Sequence, residues 1–431
     1  MNKFLKNTSI VIMCVVLLLG FNASYTSLNI DNLAYVVAIG IDVGKNDVYK
    51  VSFQFIPRSS EEKSESSTSS NGGKSVINTV EAPSLNTAIN LTNSYLARKI
   101  NLSHCKVIIF SEQVATYGIS KEIYSLINNS QARPSANIII CKNSAERYIK
   151  DTNPILENLI TKYYELFPNS GKYTGYIYNA TLGDFFNQLV SNTCEPFAIL
   201  GGINSNMYSN NNKISYSNNT GNMKSTETSF SGLRGSENIG VAVFKDDKLV
   251  GELNATETLC LSIIKGEVSS FLIHVPNPKD SEKEIDLIIY PSDKRNVTVD
   301  IVNGSPYITF SEKFVGKIYS ASKDKEYLNA EEIKNLSDLS NKYLENILKN
   351  YLYKTSATYG SDINDFGRYA LSKFLTIDQF NEYDWKNNYK NSTFKVSVDT
   401  QVQTGFLITE IKEKIDRETD PEQKEKYEKG L

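Results

Sequence analysis

The sequence predicts an α+β protein, mixed α/β sheets with packed helices, arranged as two to three modules in series. Three observations carry that prediction. Runs of β-branched and aromatic residues alternate with helical periodicities, a polar Asn/Ser/Thr-rich stretch divides the chain, and 431 residues exceed what one core ordinarily organises. A hydrophobic fraction of 40% with 22% charged residues is globular rather than disordered. Lys and Arg total 46 against 49 Asp and Glu, a net charge of −3 that concentrates no positive field for nucleic acid.

Residues 1–24 read as a signal peptide or anchor. Lys3 and Lys6 precede an apolar stretch from Ile10 to Phe21 and then small residues. That stretch is shorter than the roughly 20 residues a spanning helix needs, which favours export over a permanent span. Leu33–Ile41 and Val48–Ile56 follow as two strands joined by the turn chemistry of Asp42–Asp47, a β-hairpin. The charged, Ser/Gly-rich residues 58–75 lack apolar periodicity and read as a loop. A helix is expected over 84–97, buried strands over 106–110 and 136–141, and a helix over 119–127 between them. Helical residues 145–166 and 181–191 then lead to a break at Gly201-Gly202.

The Asn/Ser-rich residues 204–232 bury almost nothing and read as a linker or exposed loop between an N-terminal region, 25–203, and a C-terminal region, 233–405. The latter divides at 290 if it holds two modules. It opens with a hairpin, Ile239–Phe244 and Lys248–Glu252 around Asp246-Asp247, and a helix over 257–264. Strands follow over 285–290, 296–303 and 306–320, with Asn303-Gly304 as a turn. Residues 330–354 carry the strongest helical stripe, through Ile333, Leu336, Leu339, Tyr343, Ile347 and Tyr351. A second helical region near 364–375 precedes a strand over 393–402, and residues 406–431 form a charged, solvated tail.

Little in the sequence points to catalysis. There is no GxSxG, HExxH, Walker loop or GxGxxG, and no cofactor motif. The five cysteines form no CxxC pair, and Cys105 and Cys141 sit beside apolar runs as buried thiols do. His104 precedes a strand, where capping or hydrogen bonding outranks general-base chemistry. Asp42 at the end of a strand is read as closing the turn, with a functional carboxylate as the alternative. The 26 tyrosines fit a low-GC coding bias better than a carbohydrate-binding surface.

Four segments, in order, resemble the Ger(x)C family, the C subunits of spore germinant receptors. Ile30-Asp31-Asn32-Leu33-Ala34 with Ala38-Ile39-Gly40-Ile41-Asp42 is similar to the family opening, and Ser103–Ile109 with Glu112 and Ala115 to its next block. Ile239–Phe244 through Leu249-Val250-Gly251 and Glu257-Thr258 resembles the third, and Asp365-Phe366-Gly367, Trp385 and the strand to Gly405 the last. Gly40, Asp42, His104, Phe244, Gly367 and Trp385 are thereby family-pattern positions. The resemblance implies an exported lipoprotein on the outer face of the spore inner membrane. It further implies three mixed α/β domains, no enzymatic activity, and two partners, a permease-like polytopic subunit and a second membrane subunit. One departure stands out: Ser24 occupies the place of the family's lipidated cysteine, so acylation there is not expected. The competing reading is a free extracytoplasmic solute- or wall-binding protein.

Overall fold

The computed structural model describes residues 6–14, 32–46, 48–56, 75–154, 156–157, 159–204, 222–227, 235–276, 284–292, 295–320 and 330–403. Ser24, the tail 406–431, nearly all of the 58–75 loop and most of 204–232 lie outside the described residues. Among the described residues no helix is long and apolar enough to cross a membrane.

The first sheet grows from β1 (Leu33–Val43), whose alternating small and β-branched residues are buried on both faces. On one side β1 pairs antiparallel with β2 (Tyr49–Phe55), which pairs with β3 (Val76–Ala82). The other side is parallel: β4 (Lys99–Asn101) and β5 (Val107–Ser111) both pair with β1, then β6 (Asn137–Cys141) and β7 (Phe197–Ile203) extend the sheet. An antiparallel hairpin, β8 (Ser236–Lys245) and β9 (Lys248–Leu253), completes nine strands in the order β3-β2-β1-β5-β6-β7-β8-β9, with β4 off that path. The sheet therefore runs on across the 204–232 segment, because β7 and β8 pair directly.

Helices cover both faces. On one lie α1 (Leu85–Tyr95), α2 (Glu112–Tyr117) and α3 (Ser120–Ile127), burying Leu85, Ala88, Val114, Ile123 and Leu126. On the other lie α4 (Ala145–Asp151) and α5 (Ile160–Leu166), through Tyr148, Ile149 and Tyr164. The chain then returns to the first face with α6 (Leu182–Leu189), whose Leu182 and Phe185 are buried there. Helix α7 (Ala255–Lys265) begins in a capping box of Asn254 and Glu257 and stops at Gly266, whose φ of 73° is the left-handed conformation glycine tolerates.

The second sheet has five strands: β10 (Phe271–Pro276), β11 (Glu284–Pro291), β12 (Asn296–Val302), β13 (Ser305–Ser320) and β14 (Thr393–Gln403). Sixteen-residue β13 pairs antiparallel with β12 and β11 in turn and parallel with β14. Asn303 and Gly304, at φ 50° and 81°, make the β12–β13 turn. Helix α8 (Ala330–Tyr353) lies on one face, burying Leu336, Leu344, Leu348 and Tyr351. It also seals the β14 edge. The Val402, Thr400 and Val398 amides donate to Ser337 Oγ (3.2 Å), Asn341 Oδ1 (2.7 Å) and Glu345 Oε1 (3.1 Å). Side chains four apart on the helix thus meet amides two apart on the strand. One hydrophobic core joins this sheet to the α4 face of the first.

Several expectations change. The helix expected over 145–166 is two, α4 and α5, because Thr152 leaves helical conformation and Pro154 cannot continue the ladder. Gly201-Gly202 is no break but lies inside β7, where a Cβ on Gly201 would come within 2.6 Å of Ile139 Cγ2. Strands β3, β4, β7 and β10 and helix α2 are additional to the expected elements. The helical region near 364–375 holds only short pieces, Gly367–Ala370 and Leu371–Lys373, followed by Ile377–Tyr383 and Trp385–Asn388. Cys105, Cys141, Cys194 and Cys260 are free, buried thiols, and burial pushes Cys105 up to about 12.

Candidate functional site

Two polar constellations collect five of the six family-pattern positions. The first lies at the carboxyl ends of β1, β5 and β6, the edge of a parallel sheet where ligands ordinarily bind. A crevice of about 540 Å³ opens there, lined in part by Asp42, Lys50, Ser111, Glu112, Lys142 and Ser144.

Asp42 is buried and belongs to β1 rather than to the turn, which Gly44 closes by donating its amide to Val48 O. Its carboxylate accepts from the Ala145 amide (2.7 Å), the Glu146 amide (2.9 Å) and the Ser144 hydroxyl (3.0 Å). It therefore caps α4 from a hundred residues upstream. Gly40 makes this possible, since a Cβ there would sit 2.9 Å from Ile149 Cδ1 and 3.3 Å from the Ala145 carbonyl carbon. Together Gly40 and Asp42 dock a helix onto a strand.

The crevice lysines are paired as well. Lys50 meets Glu146 at 2.5 Å, and Lys142 and Lys224 share Glu252 at 3.1 and 3.0 Å. Burial pushes Glu146 up, but hydrogen bonds from Lys150 and Lys50 outweigh it and hold the carboxyl at about 2. Burial, helped by Glu252, raises Glu112. The Ser144 hydroxyl in this crevice is spent on Asp42 and on the Arg147 amide (3.4 Å).

The second constellation joins the β7–β8 flank of the first sheet to the segment after α8. Ser361 donates its hydroxyl to the Phe244 carbonyl (2.6 Å), and the Glu195 amide donates to the Asp362 carbonyl (2.9 Å). Phe244 itself is buried edge-on against Phe185, centroids 5.0 Å apart, a contact worth about 1 kcal/mol beyond burial. Asp362 is fully buried and is the hub. Its carboxylate accepts from Trp385 Nε1 (2.8 Å), the Gly367 amide (3.0 Å) and the Asn364 amide (3.2 Å). Burial pushes it up to about 7 against the pull of these donors. Gly367 is required by proximity: a Cβ would overlap the Thr193 carbonyl oxygen and come within 2.7 Å of the Trp385 ring.

Glu195, also fully buried, closes the junction. Its carboxylate accepts from the Asp246 amide (2.8 Å) and meets Lys386 at 3.3 Å and Lys245 at 3.5 Å. Burial raises it, while Lys386 chiefly and the Asp246 amide pull it back. Lys245 also donates to the carbonyls of Gly360 and Lys386, both at 2.9 Å.

His104 stands apart from both groups. It lies edge-on to Tyr35, centroids 4.5 Å apart, with Nδ1 3.1 Å from the Ser103 hydroxyl. Burial, then the nearby Arg133 and Lys106, lowers its pKa, so it packs as a neutral ring. Sequence reasoning missed Asp362, Ser361 and Glu195. The local signal was a polar turn after Gly360, which nothing in the neighbouring residues distinguishes from an ordinary loop.

Comparison with known proteins meets this geometry. Residues 26–200 match the model of the spore germination protein N-terminal domain, and residues 239–405 that of the spore germination B3/GerAC-like C-terminal domain. The crystal structure of the GerBC protein aligns with 84% of this chain and 96% of its own at 16% identity and a TM-score of 0.45. No curated protein matches. Two family models in series take in both constellations and most of the chain, which belongs to the Ger(x)C family of spore germinant receptor C subunits.

Proposed function

We propose that the chain is the non-catalytic C subunit of a nutrient germinant receptor, exported to the outer face of the spore inner membrane. There it acts by contact with a permease-like polytopic subunit and a second membrane subunit to trigger germination. The observation that carries this reading is the pair of germination-family matches over residues 26–200 and 239–405. The chemistry of the two constellations supports it. Asp42 caps a helix, Asp362 gathers indole and backbone N–H groups, and Glu195 holds two lysines. These acids fasten elements to one another, and a rigid platform assembled this way suits docking. Membrane attachment in this reading does not use an acyl chain at Ser24, where a hydroxyl stands in place of the family's thiol.

Deleting the gene and scoring spores against a nutrient panel tests the proposal. Loss of the response to at least one nutrient, restored by the wild-type gene, is expected. An unaltered response to every nutrient, in a strain also lacking paralogous C subunits, refutes it. Affinity capture of the tagged chain from spore membranes should bring down a permease-like polytopic protein.

A further inference from the structure

Helix α8 and the core take the face of the second sheet that carries Leu287, Ile289, Phe310 and Phe314, and the alternate residues of the same strands form an outer face. Over half of that outer face the cross-strand rows are polar, as on an ordinary solvated sheet: Thr298, Thr309 and Lys395 in one, Asn296, Ser311 and Ser397 in the next. The other half differs. Leu272 stands opposite Ile288 and Tyr290 opposite Val315, with Lys317 lying 5.2 Å over the Tyr290 ring and Tyr319 at the bulge beyond it. Leu272 and Tyr290 are each 37% exposed and Tyr319 69%, and none of these five apolar residues belongs to either hydrophobic core. From Leu272 to the β14 edge the patch spans three strand spacings, and along β13 it runs from Val315 to Tyr319, about 14 Å each way.

An apolar patch set in an otherwise polar face marks a contact surface. Strand β14 ends at Gln403, opposite Lys317 and so at the border of the patch, and 28 residues of chain follow it. Their sequence is charged but not uniformly. Leu407, Ile408, Ile411 and Ile415 share one stripe at helical spacing, Glu410 and Lys414, like Glu413 and Arg417, stand four apart, and Pro421 ends the pattern. A helix rises about 12 Å from Leu407 to Ile415, close to the length of the patch. The three residues Thr404-Gly405-Phe406 supply about 10 Å of extended chain, enough to turn and rise by one packed layer. On the opposite face α8 holds the Val402 amide through Ser337, so the side next to the exit that awaits a cover is this one. We propose that Leu407–Ile415 docks as an amphipathic helix on the outer face of the second sheet, its leucine and isoleucines against Ile288, Tyr290 and Val315. The segment lies beyond residue 405, where the C-terminal family match ends. The proposal is independent of the receptor reading, because it concerns a single isolated chain.

Photo-crosslinking in the full chain tests it. p-Benzoylphenylalanine is placed at Tyr290 on the patch or, as a control, at Tyr117, a 72% exposed position on helix α2 of the first sheet. A mixture of light and heavy isotope-labelled copies separates capture within one chain from capture between two. At about 1 µM protein, tethering favours the former by about a thousandfold in concentration. Peptides joining position 290 to the Leu407–Ile415 segment of the same copy are expected, about tenfold or more above those from position 117. The double variant Leu407→Asp, Ile411→Asp changes only residues after β14 and should cut that yield about tenfold, because it sets two charges against an apolar surface. Equal capture of the segment from both positions, a yield indifferent to the double variant, or no capture of the segment overturns the proposal. Capture only between light and heavy copies also overturns it, and assigns the patch to a second copy of the chain.

Discussion

The Asp362 hub makes a prediction in which sign as well as size is at stake. Folding moves this carboxyl from 3.8 to about 7, so the folded chain holds a proton that the unfolded chain has already released. Stability from this group is therefore greatest at acid pH and falls as pH rises towards 7. At 1.36 kcal/mol per unit the whole interval is worth about 4 kcal/mol, of which roughly 2–3 kcal/mol is lost between pH 5 and pH 7. Asp362→Asn removes the titration but turns an amide N–H₂ towards at least one of the three donors on Trp385, Gly367 and Asn364. That mismatch costs about 1–3 kcal/mol at pH 5, where the native acid is itself neutral. The deficit should then shrink by roughly 2–3 kcal/mol on going to pH 7.5, approaching zero or reversing. Urea titrations at both pH values provide the measurement. Trp385 is the single tryptophan and touches the mutated group, so its fluorescence reports on the hub alone. Every other titrating group is common to both chains and cancels. A deficit that stays constant or grows with pH would refute the reasoning, because it would mean that the donors keep Asp362 ionised despite its burial.

Three further outcomes follow from the same geometry. Asp42→Ala leaves two α4 amides without their acceptor and should cost about 2–3 kcal/mol in urea unfolding, with Asp42→Asn recovering part of it. Gly367→Ala drives a methyl group into the Thr193 carbonyl and the Trp385 ring, for a loss of about 3 kcal/mol and a red-shifted Trp385 emission. Asn341→Ala strands the Thr400 amide and should cost about 1–2 kcal/mol, with faster hydrogen exchange confined to β14 and α8.

What the sequence made legible was local. The β1–β2 hairpin stood out because its period and turn chemistry agree, and the β12–β13 turn because Asn303-Gly304 has few other uses. The mixed α/β character and the long helix α8 were readable for the same reason. Strand β7 was hidden by Gly201-Gly202, since the contact that demands glycine there comes from Ile139, sixty residues away. The β7–β8 pairing was hidden too, because a polar stretch is silent about whether its two ends meet. The sites divide the same way. Gly40, Asp42, Gly367 and Trp385 could be singled out as positions, yet their meaning lies in partners far along the chain, α4 for the first pair and Asp362 for the second. Asp362 itself was invisible. Only three-dimensional proximity to Trp385 separates it from Asp365, which bonds Thr193 instead.

The sealed flank of β14 bears on how copies of such a chain can associate. An open strand there would invite the same strand of a neighbour and join the two sheets into one. With Ser337, Asn341 and Glu345 holding three of its amides, the flank offers a visitor no ladder to extend. Association on that side is left to side-chain complementarity.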